Sequence, residues 1–548
     1  MAKSYTSTHL PKPFRVIILN AGENGGTYEF MVNQTQGSDQ RLMYSGMSER
    51  FVSSVSGTPA WELVAQGGSF KFNPKEVFAN LVSTVQPRVL SDEDDIMNMH
   101  RTVRSPQGSS KDLYLQEKHF HYSKDAVQQQ IEEYEAMSSR NLMEQTYLDG
   151  LKISSRHDGR SEPAYFRMAV LDLKEPRNTR HEGGWHYDWR FFNDGLFYDR
   201  EGWTKAERSE RASIVIERLS RNWNRFAEEK GIVSWIMHGP LLSWYWDGLM
   251  FPYDVDIDIQ MPISELTRLA REYNQTLVIE NPSEGYGRYL IDVGTYIHNR
   301  ERSYTGNHID ARFIDVDSGI YIDITGLSQS STNLPKEYDL KPIVSKQDGD
   351  SSAEVYNDRR KHFYTLPQIS PLRYSMMGGV PLYVPHEIRE RLEWEYSRGL
   401  TSYEYRGWYF VPKLQLWVMK EKLLWLFNKE DYQNDEQKFD KNKMVELVKA
   451  LSDDEAMRLL EDDDILTEYY FTCQLTDWHM HEKTFLFTAE GKDNVAGMDD
   501  PSTRKSYNNL VGKVKFSKPL RKALFEYENF ERMAHHRVGT QGRVRENA

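Results

Sequence analysis

The stretch Tyr253-Asp254-Val255-Asp256-Ile257-Asp258-Ile259-Gln260 decides how the rest of the chain is interpreted. Acidic and aliphatic residues alternate strictly along it, and this period of two is typical of a β-strand with one buried face. The residues expected to face the core are Val255, Ile257 and Ile259. The residues expected to share the opposite face are Asp254, Asp256 and Asp258. Residues two apart on a strand are separated by about 6.6 Å, so neighbouring carboxylates on this face can lean onto one cation. The pattern therefore predicts a site for Mn²⁺ or Mg²⁺, which prefer oxygen ligands.

A third carboxylate from a neighbouring strand would complete such a site. Residues 309–316 and 320–325 are joined by Asp317-Ser318-Gly319, a tight-turn sequence that predicts a β-hairpin. Asp323, which aliphatic residues flank, is the first candidate for the third ligand, and Asp310 is the second. The alternative is a solvated acidic face. Because Asp is depleted in strands, the metal site is the favoured interpretation.

The elements around the acidic strand predict the fold class. Residues 213–229 carry apolar side chains at helical spacing, which predicts a helix with one buried stripe: Ile216, Leu219, Trp223 and Phe226. Residues 233–237 read as a buried strand, and Pro240 suits the first position of a following helix. Ser264 is expected to cap a helix over 265–273. This order predicts an α+β protein whose mixed sheet has flanking helices.

Composition limits the possible partners. A net charge of −13 disfavours nucleic acid as the main partner, because duplex-binding proteins normally present a basic surface. The only cysteine, Cys473, permits no intramolecular disulfide and no cysteine-based zinc site. His479 and His481 are a candidate zinc pair, but the absence of a third ligand nearby favours a structural role. The sequence gives no indication of oligomeric state.

Two segments carry a family resemblance: His238-Gly239-Pro240-Leu241-Leu242, and Pro252-Tyr253 followed by the acidic stretch. They resemble the signature of the LicD/fukutin-type phosphotransferases, which is Gly-Thr-Leu-Leu-Gly and then Pro-Trp-Asp-Asp-Asp-x-Asp. The resemblance is closer to the fungal branch linked to mannosylphosphate transfer, and residues 186–192, 309–327 and 355–373 support that branch. It covers residues 180–420, with weaker similarity beyond.

The departures from this family pattern that bear on the site are Pro240, Ser243 and Val255. Pro240 stands where the family has Thr, so a hydroxyl that would touch the donor phosphate is missing. The change leaves open an altered donor preference or a lowered activity.

The resemblance implies a nucleotidyltransferase-like fold in which Asp256 and Asp258 are paired metal ligands and Asp323 is the third carboxylate. It implies transfer of mannose-1-phosphate from GDP-mannose, with loss of GMP, to a hydroxyl of a mannose-containing glycan. It also implies the Golgi lumen or secretory pathway, although no signal peptide or membrane anchor is evident; the cytoplasm is the alternative. Two other functions stay open: a non-catalytic partner or regulator of a mannosylphosphate transferase, and a nucleotidyltransferase that releases pyrophosphate.

Further residues are candidates for the reaction. Asp254 or Asp323 would accept the proton of the attacking hydroxyl. Arg312 would either clamp a phosphate or form an ion pair within the hairpin, and the two roles are equally favoured. The remaining candidates for substrate binding are His238, Gly239, Asp310, Arg359 and Arg373.

The length of 548 residues predicts more than one packed unit. We expect an N-terminal region of unknown role at 1–150, a LicD-like catalytic domain at 160–420, and a mainly helical region at 421–548 packed on that domain.

Overall fold

The computed structural model describes residues 10–20, 25–35, 47–67, 73–83, 85–90, 111–167, 171–175, 178–182, 186–191, 205–330, 354–428 and 439–531. The strands are β1 (Arg15–Leu19), β2 (Thr27–Met31), β3 (Leu171–Glu175), β4 (Asn178–Glu182), β5 (Trp235–Met237), β6 (Ile257–Pro262), β7 (Thr276–Ile279), β8 (Arg288–Val293), β9 (Ala311–Asp315), β10 (Tyr321–Gln329), β11 (Val355–Asn357), β12 (Phe363–Thr365), β13 (Arg373–Met377), β14 (Val380–Val384), β15 (Glu404–Tyr405), β16 (Trp408–Val411) and β17 (Leu416–Met419).

The α-helices are α1 (Met47–Ser56), α2 (Ala60–Ala65), α3 (Pro74–Val82), α4 (Lys124–Ala136), α5 (Leu142–Ser154), α6 (Lys205–Lys230), α7 (His238–Asp247), α8 (Ile263–Tyr273), α9 (Leu366–Ile369), α10 (Arg389–Glu395), α11 (Lys420–Leu423), α12 (Lys441–Lys449), α13 (Asp453–Leu459), α14 (Asp463–Leu486), α15 (Val495–Asp499), α16 (Pro501–Val511) and α17 (Leu524–Glu526). Within the described ranges, no helix combines the length and the apolar character that a bilayer crossing needs.

One large mixed sheet organises the molecule. Its order is β12-β11-β10-β9-β8-β7-β1-β2, with β6 beside β10 and β5 beside β6. The pairs β6–β10 and β1–β7 are parallel, and the other pairs in the sheet are antiparallel. Helices flank this sheet, so the predicted α+β class with a mixed sheet is confirmed.

Helix α6 packs on the sheet through the predicted apolar stripe. All four residues of the stripe are buried, namely Ile216, Leu219, Trp223 and Phe226. The Trp223 ring meets the Phe313 ring of β9 edge-on, with centroids 5.5 Å apart. Full burial of such a side chain contributes about 1.5–3 kcal/mol, so this stripe fixes the helix against the strands that carry the acidic residues. The helix ends at Lys230, and Gly231 adopts a left-handed conformation with φ of 59°.

The acidic strand is shorter than the sequence predicts. Strand β6 begins at Ile257, because neither neighbouring strand pairs with a residue before it. Asp254 therefore lies in the turn that approaches the strand, and Val255 is half-buried there instead of facing the core. The predicted cap at Ser264 is also wrong, since α8 begins at Ile263 and its N-cap is Pro262.

Strands from the first 150 residues extend the same sheet. β1 pairs with β7, and β2 continues the sheet beyond it. At the other end of the chain, residues of α12, α13 and α14 share a buried apolar cluster with β16 and β17. The three-part division of the chain stays a prediction. Strands from before and after the predicted boundary at residues 150–160 belong to one sheet.

Candidate metal centre

Three carboxylates converge at the adjoining ends of β6 and β10. Asp256, Asp258 and Asp323 each offer one oxygen atom, and these atoms lie within 4.8 Å of one another. Asp258 and Asp323 are register partners on the parallel strands β6 and β10, and Asp256 lies directly before β6. Asp256 keeps 28% and Asp323 13% of its side-chain surface exposed, so solvent reaches the cluster. The structure thus brings together the three residues predicted as metal ligands; that they bind metal stays a prediction.

The electrostatics of the cluster suit a divalent cation. Burial, together with the neighbouring Asp323 and Asp254, raises the pKa of Asp256 to about 7. Burial and the adjacent carboxylates also raise the pKa of Asp258 well above its ordinary value. The Oδ1 atom of Asp256 is buried and has no hydrogen-bond partner among the described residues. Mg²⁺ or Mn²⁺ fits these oxygen donors and would remove the repulsion between them.

Arg312 lies beside this cluster. Its Nε atom donates to Oδ1 of Asp323 at 2.9 Å, and its guanidinium carbon lies 3.7 Å from the centroid of the Tyr321 ring. The ion pair within the hairpin, one of the two predicted roles, is therefore present. The Nη1 atom is buried, and no described residue accepts a hydrogen bond from it. That donor would suit a phosphate oxygen, so the ion pair does not exclude the second role.

Two further groups border the carboxylates. The Nδ1 atom of His186 lies 3.5 Å from Oδ2 of Asp256, and sequence reasoning did not assign His186 to the site. Its only signal was its position in a segment that resembles the family. Asp254 accepts from the backbone N–H of Val255 at 3.0 Å, and burial raises its pKa to about 6. A Cβ atom at Gly239 would lie 3.3 Å from Oδ2 of Asp254, so the glycine permits close approach of α7.

Both carboxylate oxygens of Asp310 accept hydrogen bonds within the protein. Asp310 is buried, its Oδ1 atom accepts from Nη1 of Arg300 at 3.0 Å, and its Oδ2 atom accepts from the backbone N–H of Gly326 at 2.8 Å. These bonds join β10 to the segment that follows β8. These contacts give Asp310 a structural role, and substrate binding by Asp310 stays a prediction.

Arg359 and Arg373, whose binding of substrate also stays a prediction, have partners in the interior. Arg359 is 1% exposed; it forms an ion pair with the buried Glu162 and donates to the carbonyl of Asn307 at 2.8 Å. Arg373 is 2% exposed and donates to Oδ2 of Asp112 at 2.8 Å. Both guanidinium groups stabilise the interior, because a buried charge needs a partner there.

His238, predicted to bind substrate, belongs to a second cluster next to the carboxylates. It follows Met237, the register partner of Asp258, at the junction of β5 and α7. Its Nδ1 atom lies 3.0 Å from both carboxylate oxygens of Glu395, and its ring lies 4.5 Å from that of His362 between centroids. The Nδ1 atom of His362 lies 2.5 Å from Oδ2 of Asp358. No sequence motif connects these residues, which come from three separate segments.

His479 and His481 both lie on α14. His479 is buried and its Nδ1 atom lies 3.1 Å from Oε2 of Glu482, whereas His481 is exposed. The helix directs the two rings apart, and neither belongs to a group of possible metal ligands in the described part of the chain.

A mixed sheet with clustered carboxylates on adjacent strands is the arrangement expected of a nucleotidyltransferase-like domain. Residues 231–387 match the family model described as "LicD/FKTN/FKRP, nucleotidyltransferase domain", so the chain carries a LicD-family domain. The family resemblance read from the sequence is confirmed.

The chain is also similar to two proteins of Saccharomyces cerevisiae. Mannosyltransferase regulator 14 is 31% identical over 359 residues, which cover 50% of this chain and 37% of that protein. Mannosyltransferase regulator 4 is 25% identical over 512 residues, which cover 76% of this chain and 41% of that protein. The chain spans less than half the length of these curated relatives.

Proposed function

We propose that the protein is a divalent-metal-dependent transferase of the secretory pathway that moves a sugar-1-phosphate from a nucleoside diphosphate sugar to a glycan hydroxyl. The observation that carries the proposal is the convergence of Asp256, Asp258 and Asp323 within a domain of the LicD family. The two yeast relatives are named mannosyltransferase regulators, which favours mannose as the transferred sugar. GDP-mannose as the donor and a mannose-containing glycan as the acceptor are what the family resemblance implies.

Each residue of the site has a definite task in this proposal. Asp256, Asp258 and Asp323 would hold Mn²⁺ or Mg²⁺, which would neutralise charge on the diphosphate. The unpartnered Nη1 atom of Arg312 would bind a phosphate oxygen. Asp254, whose pKa burial raises to about 6, would accept the proton of the acceptor hydroxyl. The acceptor oxygen would form a bond to the sugar-linked phosphorus, the bridging P–O bond would break, and GMP would leave.

A second candidate function is non-catalytic regulation of another mannosylphosphate transferase. The word "regulator" in the names of both relatives favours it. Pro240 favours it as well, because this buried residue in the first turn of α7 replaces the family's hydroxyl-bearing Thr. A regulator would retain the fold and the metal site but would not turn over the donor.

Product analysis separates these functions. The purified chain is incubated with GDP-mannose, a mannose oligosaccharide and Mn²⁺, and released GMP is measured. We expect release by the wild type and a loss of at least 100-fold in Asp256→Asn and Asp258→Asn. Asp477→Asn, which makes the same chemical change at an exposed position of α14, is the matched control.

Three outcomes would oppose the transferase. Equal GMP release by wild type and both site variants would exclude this cluster as the active site. Metal binding without GMP release, together with stimulation of a separate transferase, would establish the regulator. Pyrophosphate release from GTP and a sugar-1-phosphate would establish a nucleotidyltransferase.

A further inference from the structure

A second group of possible ligands lies next to the carboxylate cluster and uses different donor atoms. His238, Asp358 and His362 each offer one nitrogen or oxygen atom, and these atoms lie within 4.8 Å of one another. His238 stands at the start of α7, and the other two residues stand in the loop between β11 and β12. We propose that these three residues form a site for a borderline transition-metal ion, with Zn²⁺ as the expected occupant, separate from the Mn²⁺ or Mg²⁺ centre.

The orientation of His238 supports coordination. Glu395 accepts a hydrogen bond from Nδ1 of His238, with both carboxylate oxygens at 3.0 Å. Glu395 is itself held by Arg391, whose Nη2 atom donates to Oε1 at 2.7 Å. A carboxylate behind the other ring nitrogen is the usual partner of a metal-binding histidine, because it fixes the tautomer and raises the basicity of the ligand atom. The proton on Nδ1 leaves the lone pair of His238 on Nε2.

The exposed edge of the cluster is open to a ligand. Hydrogen bonds to described residues involve only the Nδ1 atom of each imidazole, so neither Nε2 atom has a partner in that part of the chain. His238 and His362 are half-buried, whereas Asp358 is buried. The two partly exposed imidazoles therefore lie at the edge of the cluster, and the charged Asp358 lies beneath them.

Two residues of this cluster and its surroundings have backbone conformations that non-glycine residues rarely adopt. His238 has φ of 56° and Arg359, the neighbour of Asp358, has φ of 67°. A left-handed conformation in a non-glycine residue is strained and persists only where its surroundings impose it. Here Glu395 fixes the side chain of His238, and the ion pair with Glu162 fixes Arg359.

Donor chemistry distinguishes the two adjacent sites. Imidazole nitrogens suit Zn²⁺, whereas carboxylate oxygens suit Mg²⁺ and Mn²⁺. The Nε2 atoms of His238 and His362 supply two nitrogen ligands, and Asp358 stands behind the His362 ring as Glu395 stands behind that of His238. The remaining tetrahedral positions are left for water or a ligand oxygen. The site needs no cysteine, so the single Cys473 does not exclude it. The inference does not depend on the transferase activity.

The test uses metal binding in the full chain. Asp256→Asn with Asp258→Asn first removes the carboxylate site, and the protein is freed of metal by dialysis against a chelator. ZnCl₂ titration by calorimetry should then show one equivalent bound. Adding His362→Gln should weaken binding at least tenfold, and adding His481→Gln, at an exposed position of α14, should not. Glu395→Gln should weaken Zn²⁺ binding by about tenfold or more, because Glu395 orients the ring of His238 for coordination.

Two results would overturn the proposal. One is the absence of Zn²⁺ binding in the variant that lacks the carboxylate site. The other is equal Zn²⁺ affinity after His362→Gln and His481→Gln. X-ray absorption of the Zn²⁺-loaded carboxylate variant gives a readout that needs no histidine substitution. We expect scattering from two imidazole ligands, and a spectrum without imidazole would exclude the site.

Discussion

The Nε atom of Arg312 lies 2.9 Å from Oδ1 of Asp323, across strands β9 and β10 where the two residues are register partners. Arg312→Ala should lower the rate of GMP release by about 100-fold or more, the cost of losing one donor to a charged transition state. Its affinity for Mn²⁺ should not fall, because a positive charge next to the carboxylates has been removed. GMP release and Mn²⁺ titration, each on the same preparation, measure the two effects.

The matched control for this change is Arg288→Ala, which breaks an ion pair with Asp317 in the turn of the same hairpin. It should leave GMP release close to the wild-type rate. If Mn²⁺ affinity and GMP release both fell by the same factor in Arg312→Ala, Arg312 would position the metal ligands and would not bind phosphate.

Metal binding should stabilise the folded protein. At a free Mn²⁺ concentration of 100 times its dissociation constant, the gain is about 2.7 kcal/mol and the melting temperature rises. Asp258→Asn should show no such rise. Without metal it should melt at or above the wild type, because burial and neighbouring carboxylates raise the pKa of Asp258 and so oppose its charged form. Thermal unfolding with and without EDTA tests this, and a metal-free Asp258→Asn melting well below the wild type would contradict it.

Acidification should destabilise the protein through His298. Burial, with a contribution from Arg300, lowers the pKa of His298 to about 3, and its Nδ1 atom lies 2.5 Å from the hydroxyl of Tyr122. Between pH 6.5 and about 3 the unfolded chain binds a proton here that the folded chain does not. Stability therefore falls as the pH drops, by up to about 1.4 kcal/mol per pH unit.

The variant His298→Gln isolates this effect. The free energy of unfolding should be higher for the wild type than for His298→Gln. This difference should be largest at pH 7 and should decrease steadily towards pH 5. Chemical denaturation at each pH measures it, with His481→Gln as the exposed control. A difference that does not change with pH would contradict the prediction.

Arg359 should act on stability. Arg359→Ala leaves Glu162 buried without its ion-pair partner, which should cost about 3–5 kcal/mol. Replacing both residues, as Arg359→Met with Glu162→Leu, should recover most of that loss, since no unpaired charge remains. Denaturant unfolding measures both variants. A fully stable Arg359→Ala protein that has lost GMP release would support the substrate-binding role that the sequence predicted.

Local periodicity accounts for what the sequence predicts well. The apolar stripe of α6 and the turn at Asp317-Ser318-Gly319 each depend on neighbours within a few residues, so their positions were predicted closely. Aliphatic flanks predict that Asp258 and Asp323 each lie on a strand, whereas the family resemblance implied that the two residues converge. The start of β6 was not, since it depends on where β5 and β10 stop pairing.

Long-range contacts account for the features that the sequence does not reveal. A charged residue has the same sequence signature whether it binds substrate or a buried partner. The partners of Arg359 and Arg373 come from distant segments, so their burial could not be inferred from neighbouring residues. The pairing of β1 with β7 and the contact of Glu395 with His238 also join distant segments, so the sequence does not predict them.

The position of β1 matters for anyone who shortens the gene. A clone restricted to residues 231–387, the part that matches the family model, would lack β1, β2 and α6. The edge of β7 (Thr276–Ile279) that pairs with β1 would then carry unpaired backbone N–H and C=O groups. Such an exposed edge strand promotes aggregation by pairing with other chains. Glu395 would be missing as well. A soluble fragment should therefore begin before Arg15 and extend past Glu395.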